Sequence, residues 1–304
     1  MQERELQDYA HLHFLVMVWG FTAILGLLIS IPAVEIVFFR TILSMAGLLV
    51  FLLATKRNIL IGFTPALKMF LTGFLIGAHW ILFFGSARVA NASICLAGLA
   101  TTSFWTSLIE PAVVKRKVRW YEIFLGIVVI AGLYVVFHFE FDHALGLTMA
   151  VLSAVAAALF TVINGRLVVN HNHYTITFYE MAGAFAATAL FLPAYSAFFT
   201  GGKINLSPTA LDWIYLAILA WICTVYAYSA SVELMKRLSA FAISITVNLE
   251  PVYGIILAVL VFGEKEKMNF EFYVGALAIF AAALSYPLIS KWRRNKTVNV
   301  EPLR

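Results

Sequence analysis

Charge is scarce in this chain. Asp, Glu, Lys and Arg make up 12% of 304 residues, against 62% hydrophobic ones, whereas a soluble domain carries about 25% charged and roughly 45–50% apolar residues. So few ionised groups cannot cover a water-facing surface, and a soluble globular fold is excluded. Cysteine is scarcer still. Cys95 and Cys223 are the two in the chain, both within apolar runs and without CxxC or metal-ligand spacing, so they are read as small packing residues. HExxH and GxSxG are missing, which leaves intramembrane hydrolysis by either route without support. His171 and His173, in HNHY, have no carboxylate or cysteine nearby to complete a metal site and are read as a solvated turn. No enzyme, cofactor or metal is expected. The opening residues MQERELQDYA lack the basic region and small-residue cleavage site of a secretory signal, so the first apolar run is expected to be retained.

What the chain has in abundance is long apolar runs. Stretches near the roughly 20 residues needed to cross a hydrocarbon core fall at about 12–31, 34–54, 67–87, 92–114, 121–138, 144–164, 175–199, 211–232, 241–262 and 271–290. The runs are continuous rather than alternating, which argues for helices and against a barrel. The expected fold is an all-α integral membrane protein of ten transmembrane helices. The connections at Lys56–Thr64 and Gly201–Ala210 are too short to fold alone.

The runs fall into two similar sets of five. Phe21, Thr22, Ile24 and Gly26 recur 139 positions later as Phe160, Thr161, Ile163 and Gly165, and Glu122, Gly126 and Ile130 recur 149 positions later as Glu271, Gly275 and Ile279. Five is odd, so two copies of one fold must lie inverted relative to each other in the bilayer, the repeat that secondary transporters use for alternating access. The repeats are expected at 12–138 and 144–290.

The net charge of +5 is distributed as in a membrane protein rather than a nucleic-acid binder. With the N-terminus cytoplasmic, sixteen of the 21 Lys and Arg fall in inner segments, while Arg88, Lys203, Lys265 and Lys267 lie outside and Arg40 lies within a span. Both termini are therefore expected to be cytoplasmic. Equivalent loops differ in the same sense: KRKVRW at Lys115–Trp120 matches EKEKMN at Glu264–Asn269, where glutamates balance the lysines.

The pair Trp19–Gly20, the segment NLEPVYGIILAVLVFG at Asn248–Gly263 followed by Glu264, and the Gly-containing last helix of each half resemble the drug/metabolite transporter superfamily, specifically its ten-helix EamA-type members. The resemblance covers essentially the whole chain. Repeat one departs from it, with Thr102 in the register of Pro251 and Lys115 in that of Glu264. The resemblance implies export of amino acids, other metabolites or drugs through a central cavity lined mainly by helices one, three, four, six, eight and nine.

Candidate site residues follow from the cost of a charge at membrane depth, at least about 2.5–3.5 kcal/mol. Glu250 lies near the middle of its span, and Pro251 beside it frees the Val247 carbonyl and is a candidate hinge. With Asn248 they form a polar cluster at the midplane, either a transport site or structural glue between helices. Arg40 and Glu180 are equivalent in the repeats (FFR and FYE). The two-fold puts them roughly 5 Å to either side of the midplane, too far for a direct static bridge. They are expected to hold the two ends of a zwitterionic substrate or to pair in one state only; the alternative is local pairing or snorkelling. His79, beside Trp80, is either a proton-coupling group or a neutral hydrogen-bonder. Glu110 lies close to Lys115 and Arg116 and is read as an interfacial partner. Among midplane aromatics, Trp19, Trp105 and Tyr226 are candidates because hydroxyls accompany rings, as suits an amphipathic ligand. Gly73 and Gly77, and Ala154 to Ala158, are read as close-packing positions.

Together these features point to an exporter of a small amphipathic metabolite in a bacterial plasma (inner) membrane. Its expected partners are a small-molecule substrate and the lipid bilayer, and no nucleic acid; coupling to protons is left open, and Glu250 is the expected carrier if transport is proton-coupled. A lipid or lipid-linked-sugar flippase is the alternative within the class; a sensor or scaffold lacks any soluble output domain.

Overall fold

The computed structural model describes residues 2–139, 143–263 and 269–298. The charged loop from Glu264 to Lys267, the side chain of Pro251 and those of Lys291 and of Arg293 onward lie outside the described residues. Among the described residues every regular element is a helix. They are α1 (Gln2–Gly20), α2 (Thr22–Leu28), α3 (Ala33–Ala54), α4 (Phe63–Val89), α5 (Ala92–Leu99), α6 (Thr102–Val114), α7 (Trp120–Phe139), α8 (Ala144–Leu167), α9 (His173–Phe199), α10 (Ala210–Ala217), a π-helical stretch (Ile218–Tyr226), α11 (Ala227–Leu234), α12 (Ala240–Val247), α13 (Glu250–Phe262) and α14 (Phe270–Val298). Seven stretches are long and apolar enough to cross a membrane: Arg4–Leu28, Ala33–Ala54, Phe63–Val89, Ala92–Val114, Ala144–Leu167, His173–Phe199 and Ala210–Leu234. The chain is a multi-pass membrane protein. Shorter apolar helices at Trp120–Gly132 and Tyr273–Ala282 fall within two further expected runs.

Two of the expected spans are broken in the same way. In each, eight helical residues are followed by a two-residue break, thirteen more helical residues and an end residue of positive φ. The first is α5 and α6, ending at Lys115 with φ 56°, and the second is α12 and α13, ending at Gly263 with φ 59°. A polar N-cap starts each: the Asn91 side chain accepts from Ile94 N–H, and Ser239 from Ala242 N–H. These boundaries set a spacing of 148 between the spans, one less than the flanking repeat suggested. Glu250 thus corresponds to Thr102, not Thr101, and Lys115 to Gly263. The break also precedes Pro251. That residue stands in the first turn of α13, where its missing N–H has no intrahelical role, and repeat one breaks without any proline.

The two breaks are joined side chain to side chain. Asn248 Nδ2 donates to Ser103 Oγ at 2.7 Å, and the Thr106 and Ser244 hydroxyls meet at 2.9 Å. In repeat one the break carbonyls are met locally, Thr101 and Thr102 donating to Gly98 and Leu99 at 2.8 and 2.6 Å.

Small residues set the closest helix approach. A Cβ on Gly73 of α4 would run into the Glu180 carbonyl of α9, and one on Gly183 of α9 would run into the Phe70 backbone of α4. Backbone on both sides leaves nothing to swing aside. Ala154 and Ala158 are fully buried in α8, which packs on the other side of α4.

Polar clusters tie the helix ends together on two faces. Where α2 finishes, Arg88 Nη2 donates to the carbonyls of Gly26, Ile29 and Ile31 at 3.0, 2.8 and 2.6 Å, and Asp212 accepts from Ser30 N–H and Oγ–H at 2.7 and 2.6 Å. Where α1 starts, Arg237 grips Asp8 with two bonds of 2.7 and 2.8 Å, which hold its guanidinium above its ordinary pKa. On that same face Glu110 pairs with Arg116 at 2.9 Å, as the sequence suggested, and Arg116 also reaches Glu122 at 2.6 Å. The Glu110 oxygens accept as well from the Ala240 and Phe241 N–H groups, at 3.2 and 3.3 Å. Glu110 thereby caps α12 across the molecule.

Gly183→Ala should therefore lower thermal stability in detergent by about 1–3 kcal/mol, the scale of overpacking. Gly165→Ala, where a Cβ meets nothing within 4 Å, should leave the melting temperature unchanged or raise it. Equal melting of Gly183→Ala and wild type would refute the α4–α9 contact.

Candidate functional site

Where the two breaks cross, a cavity of about 100 Å³ opens. Its polar lining includes Trp19, Thr22, Arg40, His79, Thr102, Tyr228 and Glu250, and Phe83 and Phe160 add apolar wall. Thr22 and Thr161, equivalent at the spacing of 139, both face it. The lining comes from the six helices the family resemblance implies, with Arg40 added from the second apolar run.

Arg40 is 2% exposed, and the fold supplies it with partners from three directions. Its guanidinium carbon lies 3.8 Å from the centroid of the Trp80 ring, close enough for a cation–π contact worth roughly 2 kcal/mol when desolvated. Nε donates to Thr224 Oγ1 at 3.0 Å. Glu250 acts on it through space, although neither Glu250 nor Glu180 comes within ion-pair distance among the described residues. The two terminal nitrogens have no hydrogen-bond partner among the described residues, so a planar donor fork is left for a ligand.

Thr224 is available because the helix widens here. In the π-helical stretch its hydroxyl bonds the Leu219 carbonyl five residues back, at 2.9 Å. Carbonyls of the same stretch accept from distant side chains, Ala220 from Ser44 Oγ at 3.1 Å and Cys223 from Trp19 Nε1 at 3.0 Å. Such bulges recur at functional sites. Nothing in the local sequence, which holds neither Gly nor Pro between Ile218 and Tyr226, announced this one.

Glu250 begins α13, is 4% exposed and lines the cavity with no hydrogen-bond partner among the described residues. Asn248 stands behind it, bound to Ser103, with its Oδ1 buried and unpartnered. His79 is fastened to α8. Ser153 Oγ donates to the His79 carbonyl at 2.9 Å, so its oxygen, 2.7 Å from Nδ1, must accept there. That sets the Nδ1–H tautomer, which also donates to the Ser153 carbonyl at 3.0 Å.

Glu180 lies outside the cavity lining and is fully buried. Tyr228 OH donates to its Oε2 at 3.0 Å, and Asn164 Nδ2 donates to the Tyr228 oxygen at 2.7 Å. Arg40 and Glu180 therefore do not face one another across the cavity; Arg40 and Glu250 do. Two aromatic candidates also fall outside. Trp105 stacks edge-on against Phe104 with its Nε1 unpartnered, and Tyr226 is 42% exposed with its OH 3.2 Å from His11 Nε2. Trp80, Asn164 and Tyr228 were not among the candidates chosen from the sequence. Asn164 carried a signal, a lone carboxamide in an apolar run, on the same argument that singled out Glu250.

A helical membrane body around a buried cavity of mixed charge is the architecture of a small-molecule transporter. Residues 144–286 match the EamA-like transporter family. The match covers the second expected repeat, under half of the chain, and is consistent with the drug/metabolite transporter superfamily. A solved structure described only as "Crystal structure of protein" superposes with a TM-score of 0.69 at 15% identity, covering 94% of this chain and 98% of its own; at that identity the likeness speaks for the fold alone. A search of curated proteins found no match.

Arg40 and Glu250 should be energetically coupled. Arg40→Met or Glu250→Gln alone leaves one buried charge unbalanced and should cost about 3 kcal/mol, read as thermal unfolding in detergent. The double variant should lose clearly less than the sum. Strict additivity would show that the two charges do not sense each other.

Proposed function

We propose that this chain is a secondary transporter that exports a small amphipathic zwitterion, an amino acid-like compound or drug, from a bacterial cell by alternating access. One observation carries the reading. A cation and an anion, Arg40 and Glu250, share one cavity without an ion pair between them, and Arg40 keeps an unused donor fork. A substrate carboxylate fits the fork and a substrate ammonium fits Glu250, while Trp19, Trp80, Phe83 and Phe160 offer faces for an apolar side chain.

The transporter consists of two inverted five-helix repeats, 12–138 and 144–290, in the inner membrane with both termini cytoplasmic. The matching eight-and-thirteen-residue broken helices support the repeat, as do Thr22 and Thr161 in one cavity. Basic residues concentrated in the inner segments support the orientation. The cavity of about 100 Å³ is below the ~300 Å³ of an ordinary ligand pocket, so its walls must part to load substrate. The two-residue break at Asn248–Leu249, rather than Pro251 itself, is the hinge.

Overexpression followed by comparison of metabolites outside the cells names the leading compound, and counterflow in proteoliposomes then tests it. Arg40→Gln and Glu250→Gln should each slow exchange at least tenfold in protein that still inserts. Wild-type exchange rates in both variants would overturn this assignment of the site.

A further inference from the structure

The triad behind the cavity wall poses a separate problem of hydrogen bonding. Glu180 and Asn164 are both 0% exposed. Tyr228 spends its single proton on Glu180 Oε2, so its oxygen accepts from Asn164, which turns Nδ2 towards Tyr228 and leaves Oδ1 as a bare acceptor. Glu180 Oε1 and Asn164 Oδ1 are then both buried without a donor. Each such atom carries the full desolvation penalty of an unmade bond, larger still if charged. Both belong to side chains that bond the same Tyr228 hydroxyl.

We propose that Glu180 holds a proton on Oε1, donated to Asn164 Oδ1, and that this triad is the transporter's proton site. One hydrogen satisfies both orphaned oxygens and removes the buried charge; a metal cation would need several more oxygens than these. Charged and titratable groups on the packed helices do not bond Glu180. From α3, Arg40 meets Trp80 and Thr224 and lines the cavity with its free fork; from α4, His79 is bound to Ser153. From α11 and α8, Tyr228 and Asn164 are the partners already named, and among the described residues no cation pairs with Glu180. Tyr228 is the member of the triad that also lines the cavity, so a substrate that moves its ring disturbs the acceptor network that keeps the proton in place. Release breaks the Oε1–H bond, leaves a carboxylate on Glu180 and passes the proton to water. The coupling role rests on the transport reading above; the proton itself does not. It moves the carrier from Glu250, where the sequence alone had put it, to Glu180.

Infrared spectra of the purified protein in lipid vesicles at neutral pH test the proton without any substrate. The expected result is a carbonyl band of a hydrogen-bonded carboxylic acid that shifts in D₂O, is lost in Glu180→Gln and persists in Glu250→Gln. Asn164→Ala should move the band to higher frequency by removing the acceptor, which keeps the test open if Glu180→Gln folds poorly. A wild-type spectrum without that band, a band lost in Glu250→Gln alone, or a carboxylate band that responds to exchange of choline for sodium would each overturn the proposal. In vesicles loaded with the leading compound, a pH gradient should accelerate wild-type flux and not that of Glu180→Gln. Absence of any wild-type exchange would sink the transport reading and leave the spectroscopic result standing.

Discussion

Everything in the middle of this protein is arranged around one desolvated guanidinium. A cation at the depth of Arg40 has lost its water, and the fold replaces that hydration with an aromatic face, a hydroxyl and a distant carboxylate. Each replacement depends on a local departure from regular structure. The hydroxyl comes from a helix widened into π geometry, which turns Thr224 inward and leaves carbonyls for Trp19 and Ser44. The carboxylate stands at the first residue after a helix break. With an apolar side chain at 40, neither distortion would have an evident return.

How much of this was legible in the chain depends on whether a property is local. Apolar runs report on the membrane one residue at a time, and among the described residues seven of them are helices long and apolar enough to cross it. The pairing of Glu110 with Arg116 was legible for the same reason: the two are six residues apart. Its capping of α12 was not, because the N–H groups it serves belong to a helix start 130 residues away. The aromatic candidates were chosen for hydroxyls near their rings, which says nothing of the direction a ring faces: Trp19 lines the cavity, Trp105 and Tyr226 do not, and Tyr228 does. The two broken helices are spaced 148 residues apart, one less than the recurrence in the flanking sequence suggests.

The scaffold is more symmetric than its contents. Both broken helices share lengths, caps and a positive-φ end, but the first residue after the break is Thr102 in one and Glu250 in the other. A hydroxyl satisfies the preceding carbonyl locally, as Thr102 does with Leu99. A carboxylate cannot, and it projects into the cavity instead. The two faces of the molecule divide in a similar way. One sets a carboxylate against helix N–H groups, through Glu110 on α12, and the other sets a guanidinium against helix carbonyls, through Arg88 at the end of α2. Both obey the sense of the helix dipole.

The proposed alternating access would require two states within a few kcal/mol of each other, and the end clusters fit that demand better than their short distances suggest. Asp8 and Arg237 form a bidentate pair, yet Arg237 stays about a third exposed, and a pair in contact with water is worth roughly 0–1 kcal/mol. Opening that face returns both groups to solvent at little cost. Glu110 is different: it is buried, and separating it from Arg116 and the start of α12 would strand a charge. On the proposed mechanism, the movable boundary on that face would run between α1 and the segment around Arg237, with α6 and α12 travelling together as one body.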